Sequence, residues 1–338
     1  MKNFSAAVFT HDTFGIGHIR RSLHFIRELA RRSPDSPILL ITGSPATRMF
    51  DSLPPHVDVL KIPTIVKTGS ARLRPPHLPL PLEEMTRMRS RLIRDAVRSF
   101  APDVFLVDNF PLGSRRELLP VLRQLHAMPT RTVLGLRDIL DTPEAVREDW
   151  ERQGIHDVLH DLYDRILVYG TPDVLDVVSA YNIPAVTASR VHYCGYVTKP
   201  MDRSKTGAPT DGPKMKGHFL LATGGGGGDG FPLLKTFAET MALLPDEPAI
   251  IFTGPIMNRD QQEEIRETVG GNPDVVVKDF VPDLRGYLAA ADVVVSMCGY
   301  NTAAEIVAQR ARAVVVPRTW RYGEHEKGNS AGVEGEQR

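Results

Sequence analysis

Short, mostly apolar, β-branched runs alternate along this chain with stretches whose apolar residues recur every three or four positions. The first series of runs is Ala6–Thr10, Ile38–Thr42, Val57–Lys61, Val104–Val107, Thr132–Leu136 and Ile166–Tyr169. Most carry apolar residues at consecutive positions, so both faces of each strand must be covered. Between the first two lies 17–32, where Ile19, Leu23, Ile26 and Ala30 fall on one face of a predicted helix. Such alternation predicts a parallel sheet with helices on both sides. A second series follows: Phe219–Thr223, Ala249–Thr253, Val275–Lys278, Asp292–Ser296 and Ala313–Pro317. Residues 198–217, between the two series, are rich in Lys, Pro, Gly and Thr and read as a linker. The expected architecture is α/β, with two doubly wound, Rossmann-like parallel-sheet domains facing across a cleft. They span 1–197 and 218–338, and the polar end at Glu334–Arg338 reads as a truncation of the second domain.

Composition adds limits to this picture. A chain of 338 residues exceeds what one ordinary core holds. The formal net charge is zero, so the overall field gives no reason to expect a nucleic-acid partner. Only two cysteines, Cys194 and Cys298, are present and far apart. That excludes a disulfide or cysteine–zinc scaffold and fits a reducing cytoplasm. No apolar run is long enough to span a bilayer, so contact with the inner face of a membrane would be peripheral.

The residues with chemistry to offer sit where strands give way to helices. In Val293–Glu305 an apolar run ends at Ser296, Gly299 makes the turn, and Asn301 and Thr302 begin a helix that carries Glu305. A helix start is an anion pocket, and a carboxylate beside it can accept bonds from sugar hydroxyls. Thr302 and Glu305 also fit a capping box with no ligand role. After Phe219–Thr223 comes an unbroken run, Gly224, Gly225, Gly226, Gly227 and Gly228, then Asp229 and Gly230. It lacks the Lys-Ser/Thr ending of a P-loop, yet lets backbone amides approach a diphosphate. A flexible spacer is the plain alternative. After the strand Val275–Lys278, Phe280 and Val281 offer an edge for a flat base, or a buried strand-end aromatic.

In the first half, Gly15-Ile-Gly17-His18 follows the first strand. Arg20 replaces the third glycine of a dinucleotide fingerprint, which argues against a nicotinamide or flavin cofactor. The turn delivers His18 to the first turn of a helix, where the dipole favours neutral imidazole able to take a proton. Asp108, ending another strand, can orient it, or can cap its own turn. On the helix over 86–100, Arg87, Arg91, Arg94 and Arg98 form a stripe beside an apolar face of Met88, Leu92, Ala96 and Val97. Arg87 and Arg91 are candidates for holding an anionic acceptor or lipid headgroup.

Taken together, these motifs resemble glycosyltransferases of the GT-B fold, in particular the family 28 group. That group includes the enzyme that adds N-acetylglucosamine to the lipid-linked peptidoglycan precursor. The likeness rests on Gly15–His18, Gly224–Gly230, Asp279–Pro282, Cys298–Thr302 with Glu305, Val316–Arg318 and the late pair Glu336-Gln337. It implies a nucleoside-diphosphate sugar, UDP-linked, held by the second domain, and an acceptor held by the first. In that reading Glu305 binds the ribose, the Gly224–Gly230 loop with Asn301 and Thr302 holds the diphosphate, and Glu336 and Gln337 contact the sugar. His18, with Asp108, is the base of an inverting transfer, with Gly15 and Gly17 on the acceptor side. No cofactor or metal is implied, and the acceptor is either lipid-linked or a small molecule. A nucleotide-sugar hydrolase or epimerase on the same fold, or a non-catalytic nucleotide-sugar-binding protein, is the alternative.

Overall fold

The computed structural model describes residues 4–11, 17–45, 53–67, 73–198, 218–226, 228–281, 283–297 and 299–316. The chain divides into two compact units, one reaching Val197 and one running Thr198–Thr319. In the first unit the elements are β1 Ala6–Thr10, α1 Gly17–Arg32, β2 Ile38–Thr42, β3 Val57–Lys61, β4 Val66–Lys67, β5 Leu73–Arg74, α2 Leu82–Phe100, β6 Val104–Asp108, α3 Leu119–His126, β7 Arg131–Arg137, α4 Pro143–Gln153, α5 Ile155–Leu162, β8 Arg165–Tyr169, α6 Val177–Ala180, α7 Ala185–Ala188 and β9 Val191–Tyr193. β4 and β5 form a small antiparallel hairpin. The other seven strands form one parallel sheet in the order β3-β2-β1-β6-β7-β8-β9. Strand order therefore reverses between β1 and β6, with Thr10 paired in register with Asp108. The carboxyl ends of two such strands form the crevice where open α/β sheets take ligands.

Burial explains the near-continuous apolar strands. Along β1, Ala7 and Phe9 enter one core layer with Ile93, Val97, Phe105 and Leu122. Ala6 and Val8 enter the opposite layer with Ile19, Leu23 and Ile26 of α1. Each fully buried aliphatic or aromatic side chain of this size contributes roughly 1.5–3 kcal/mol.

The register of α2 differs from the one its apolar pattern predicts. Its buried row is Met85, Arg89, Ile93 and Val97, while Met88 and Leu92 are exposed. The row contains an arginine because a carboxylate awaits it. Arg89 Nε donates to Glu117 Oε2 at 2.6 Å and Nη2 to Oε1 at 2.9 Å, both side chains fully buried. Arg89 Nη1 donates to the Pro63 carbonyl at 2.6 Å, and the Ser114 amide donates to Glu117 Oε1 at 3.1 Å.

Gly135 of β7 is required by a neighbour. A Cβ added there would lie 1.6 Å from the Tyr169 hydroxyl oxygen. Gly135→Ala is therefore expected to cost about 1–3 kcal/mol by overpacking. Urea unfolding measures this, and an unshifted midpoint would mean Tyr169 moves aside without strain.

The second unit repeats the plan with β10 Leu220–Thr223, α8 Phe231–Leu243, β11 Ala249–Phe252, α9 Arg259–Thr268, β12 Val275–Lys278, α10 Arg285–Ala290, β13 Val293–Ser296, α11 Tyr300–Gln309 and β14 Ala313–Val315. The sheet is parallel, in the order β12-β11-β10-β13-β14, and reverses between β10 and β13, where Thr223 pairs with Ser296. Two apolar clusters cover its faces, one around Leu234, Ala238 and Met241 of α8, the other around Leu288 and Ile306. Among the described residues no helix is long and apolar enough to cross a membrane.

Candidate functional site

At the reversal point of the first sheet, α1 presents His18, Arg21 and Ser22 to the end of β6. The spacing is helical: residues three and four apart share a face. All three side chains meet Asp108. Arg21 Nε donates to Asp108 Oδ2 at 3.0 Å, and its Nη2 donates to Oδ1. Ser22 Oγ donates to Oδ2 at 3.2 Å, and His18 Nδ1 lies 3.5 Å from Oδ1. Asp108 is fully buried and Arg21 is 2% exposed. Burial alone would push the Asp108 carboxyl up. Arg21, with His18, outweighs it and holds the carboxyl far below the usual carboxylate range. His18 is shifted below the ordinary imidazole value by burial, with Asp108 opposing and Arg21 and Arg137 adding to the shift. The structure thus brings His18 and Asp108 together.

Four neighbours escape sequence reasoning. Arg21 and Ser22 have no role in the sequence reading, although their spacing from His18 is the available signal. His11, just past β1, stacks on Phe110 with ring centroids 4.3 Å apart and meets His18 edge-on at 5.6 Å. Tyr169, ending β8, lies under the Arg21 guanidinium at 5.1 Å.

His11 is also held well below the ordinary value, by burial first, with His18 and Arg89 adding and Asp108 opposing. Depressed histidines stay neutral in the fold while the unfolded chain takes up protons. Their contribution to stability is therefore full above about pH 6.5 and is lost as pH falls through the folded-state values. Stability is expected to decline as pH falls below the ordinary imidazole value of about 6.5, and His11→Gln to flatten that decline. Denaturant midpoints across the range check it; an equal slope in both proteins would exclude His11 as a contributor.

The remaining acceptor-side candidates lie apart from this cluster or outside view. Gly17 opens α1. Arg87 and Arg91 lie on the solvent face of α2, in a groove shared with Leu80, Glu84, Met88, Leu92 and Asp95. Gly15 lies outside the described residues, as do Gly227, Glu336 and Gln337.

In the second unit the glycine run folds back on itself. A Cβ at Gly230 would approach Gly224 Cα to 2.7 Å, so the two ends of the loop touch backbone to backbone. Gly225 has φ +60°, and its missing Cβ points toward Thr302 Oγ1 at 3.7 Å. The loop therefore lies against the first turn of α11. The Gly225 amide donates to Thr223 Oγ1 at 3.1 Å, and the Gly226 carbonyl accepts from the Ile256 amide at 3.1 Å. Gly228 has room for a side chain, with Ile256 the nearest contact at 3.8 Å.

The capping-box alternative for Thr302 and Glu305 does not hold. Gly299, which has no side chain to offer, is the N-cap, and Thr302 stands third within the helix. With Asn301 in the same turn and no acidic residue there, the positive pole of α11 adjoins the glycine loop. Glu305 is buried on the inner face of α11. Phe280 is 49% exposed beyond β12, against the alternative of a buried aromatic. Val281 packs against the core beneath.

Residues 224–336 match the glycosyltransferase family 28 C-terminal domain. A curated relative from Methylibium petroleiphilum, UDP-N-acetylglucosamine--N-acetylmuramyl-(pentapeptide) pyrophosphoryl-undecaprenol N-acetylglucosamine transferase, is 31% identical over 100 residues, 29% of this chain and 27% of the relative. The chain spans about a third or less of the length of the curated relatives it matches. Among solved structures, the glycotransferase of kitacinnamycin has a TM-score of 0.58 at 17% identity, covering 99% of this chain and 85% of that one. A UGT transferase from Siraitia grosvenorii in complex with UDP has a TM-score of 0.56 at 14% identity, covering 97% and 84%. Residues 224–336 are thus similar to the family 28 glycosyltransferase C-terminal domain, and the chain as a whole shares the GT-B fold of these solved structures.

Proposed function

We propose that this chain transfers a sugar from a UDP-linked donor to an acceptor hydroxyl, with inversion at the anomeric carbon and no need for a metal ion. The observation that carries this reading is the packing of Gly225 against Thr302, inside the domain that matches family 28. Backbone amides of the Gly224–Gly228 loop and the positive pole of α11 at Gly299, Asn301 and Thr302 then receive the diphosphate. Phe280 and Val281 flank the base, and Glu305 accepts from the ribose. Glu336 and Gln337 are assigned to the sugar on the family likeness alone.

The first unit supplies the base. His18 Nε2 takes the acceptor hydroxyl proton as that oxygen attacks the anomeric carbon. The bond from the anomeric carbon to the diphosphate oxygen breaks, and its electron pair leaves on UDP. Asp108 stabilises the imidazolium formed. The acceptor is lipid-linked, as in the curated relatives' names, or a small molecule. A lipid-linked acceptor would bring the protein to the membrane surface, with Arg87 and Arg91 near the headgroups.

Product analysis with a panel of sugar nucleotides tests this reading. Sugar attached to an added acceptor, with UDP released in equal amount, supports transfer. Free sugar formed without any acceptor contradicts it in favour of hydrolysis. A second expectation concerns the donor loop alone. Gly225→Val forces a branched side chain onto φ +60°, which costs about 1–2 kcal/mol or more. Calorimetric UDP affinity is expected to fall at least about tenfold, and unchanged affinity would remove the loop from the donor site.

A further inference from the structure

The arrangement around His18 contains one conflict that the base reading alone does not resolve. Arg21 Nη2 lies 3.1 Å from His18 Nδ1, while Asp108 Oδ1 lies 3.5 Å from the same nitrogen. Neutral imidazole has one N–H and one lone pair, and a guanidinium nitrogen can only donate. Nδ1 therefore cannot both donate to Asp108 and stand bare before Arg21. If Nδ1 carried the proton, two N–H groups would face each other at 3.1 Å. If Nδ1 carries the lone pair, no two donors face each other across that contact. One hydrogen of Arg21 Nη2 goes to Asp108 Oδ1 and the other to His18 Nδ1, while Nε and Ser22 Oγ occupy Oδ2.

We infer that Arg21 is a positioning residue that decides which ring nitrogen of His18 carries the proton, and that in the geometry seen here it keeps that proton on Nε2. His18 then presents a donor, not a lone pair, away from Asp108. The catalytic meaning rests on the proposed transferase reading. A base acting through Nε2 needs the opposite tautomer, with Nδ1–H donating to Asp108. Arg21 Nη2 must turn its second hydrogen off Nδ1 before His18 can accept a proton, so Arg21 gates the base. Burial of Arg21 against Tyr169 holds it in place. The other charged or titratable groups acting on His18 are His11 beyond β1, Asp108 of β6 and Arg137 of β7.

Nitrogen NMR of the intact, ligand-free chain with labelled histidines tests this directly, with His18→Gln assigning the resonance. Above the titration range, Nδ1 of His18 is expected to resonate as a bare, pyridine-type nitrogen and Nε2 as the protonated one. In Arg21→Lys, one ammonium reaches Asp108 without bridging to the ring, and the pattern is expected to invert. An Nδ1–H tautomer in the unaltered protein would overturn the inference, and this measurement needs no variant of Arg21 to fold. An unchanged tautomer in a folded Arg21→Lys protein would overturn it as well. The spectrum is read without substrate. Loss of the transferase reading by product analysis would leave the tautomer assignment standing, and a wrong tautomer would leave the transfer reaction untouched.

Discussion

His18→Ala is expected to lower kcat/KM for sugar transfer by about 10²–10⁴-fold, the usual contribution of a positioned general base, while leaving UDP affinity unchanged. The two effects separate because His18 belongs to the first unit and the diphosphate is assigned to loops of the second. Asp108→Asn should act in the same direction and carry a folding cost. It removes the negative charge that faces Arg21, both side chains being almost fully enclosed. Steady-state kinetics at saturating donor, paired with calorimetric titration of UDP, measures both quantities. Full turnover in His18→Ala would assign proton removal to another group, and joint loss of turnover and UDP affinity would mean the histidine contacts the donor.

Arg89→Met is expected to destabilise the first unit by about 3–5 kcal/mol, because it strands the Glu117 carboxylate in a dry interior. Nothing about this pair is exposed: both side chains have zero accessible surface. Each kcal/mol moves the melting temperature by about 2–4 °C for a domain of this size. Replacing both partners, Arg89→Met with Glu117→Leu, should recover most of the loss, since an apolar pair of similar volume replaces the ionic one. Thermal and urea unfolding of the single and double variants checks this. A single variant within about 1 kcal/mol of the original protein would show that water reaches Glu117.

The same pair shows where sequence reading succeeds and where it stops. Periodicity is enough to bound α1 at Gly17 and Arg32, because Ile19, Leu23, Ile26 and Ala30 form an apolar buried row, although Arg21 and Ser22 are buried beside it. The runs of β1 and β2 are likewise legible, since a strand buried on both faces is almost wholly apolar, and β3 and β12 are legible from their β-branched valines. In α2 the rule fails for a physical reason. Arg89 occupies a core position by virtue of a carboxylate 28 residues away in sequence. The exposed Met88 and Leu92 then mimic an apolar face. β9, the three residues Val191–Tyr193, and the two-residue strands β4 and β5 are too short to show a period.

At the site, the residues that punctuate the chain were the readable ones. Strand-end polar residues and glycines mark where backbone must turn toward a ligand, so His18, Asp108 and the loop from Gly224 stand out. What sequence could not show is how side chains divide a shared partner. Arg21 counts as a solvent residue by type, and only the fold places it between His18 and Asp108. Thr302 and Glu305 spell a capping box in one dimension, but Gly299 takes the cap position and turns Thr302 toward the glycine loop.

The central claim is that backbone amides of the second unit hold a nucleoside diphosphate without help from a divalent cation. Isothermal titration of the intact chain with UDP, in buffer containing EDTA, tests it most directly. The account predicts saturable binding at one site, of equal strength with and without EDTA, and weakened at least about tenfold by Gly225→Val. No binding, binding that appears only when a divalent cation is supplied, or binding indifferent to Gly225→Val would contradict it.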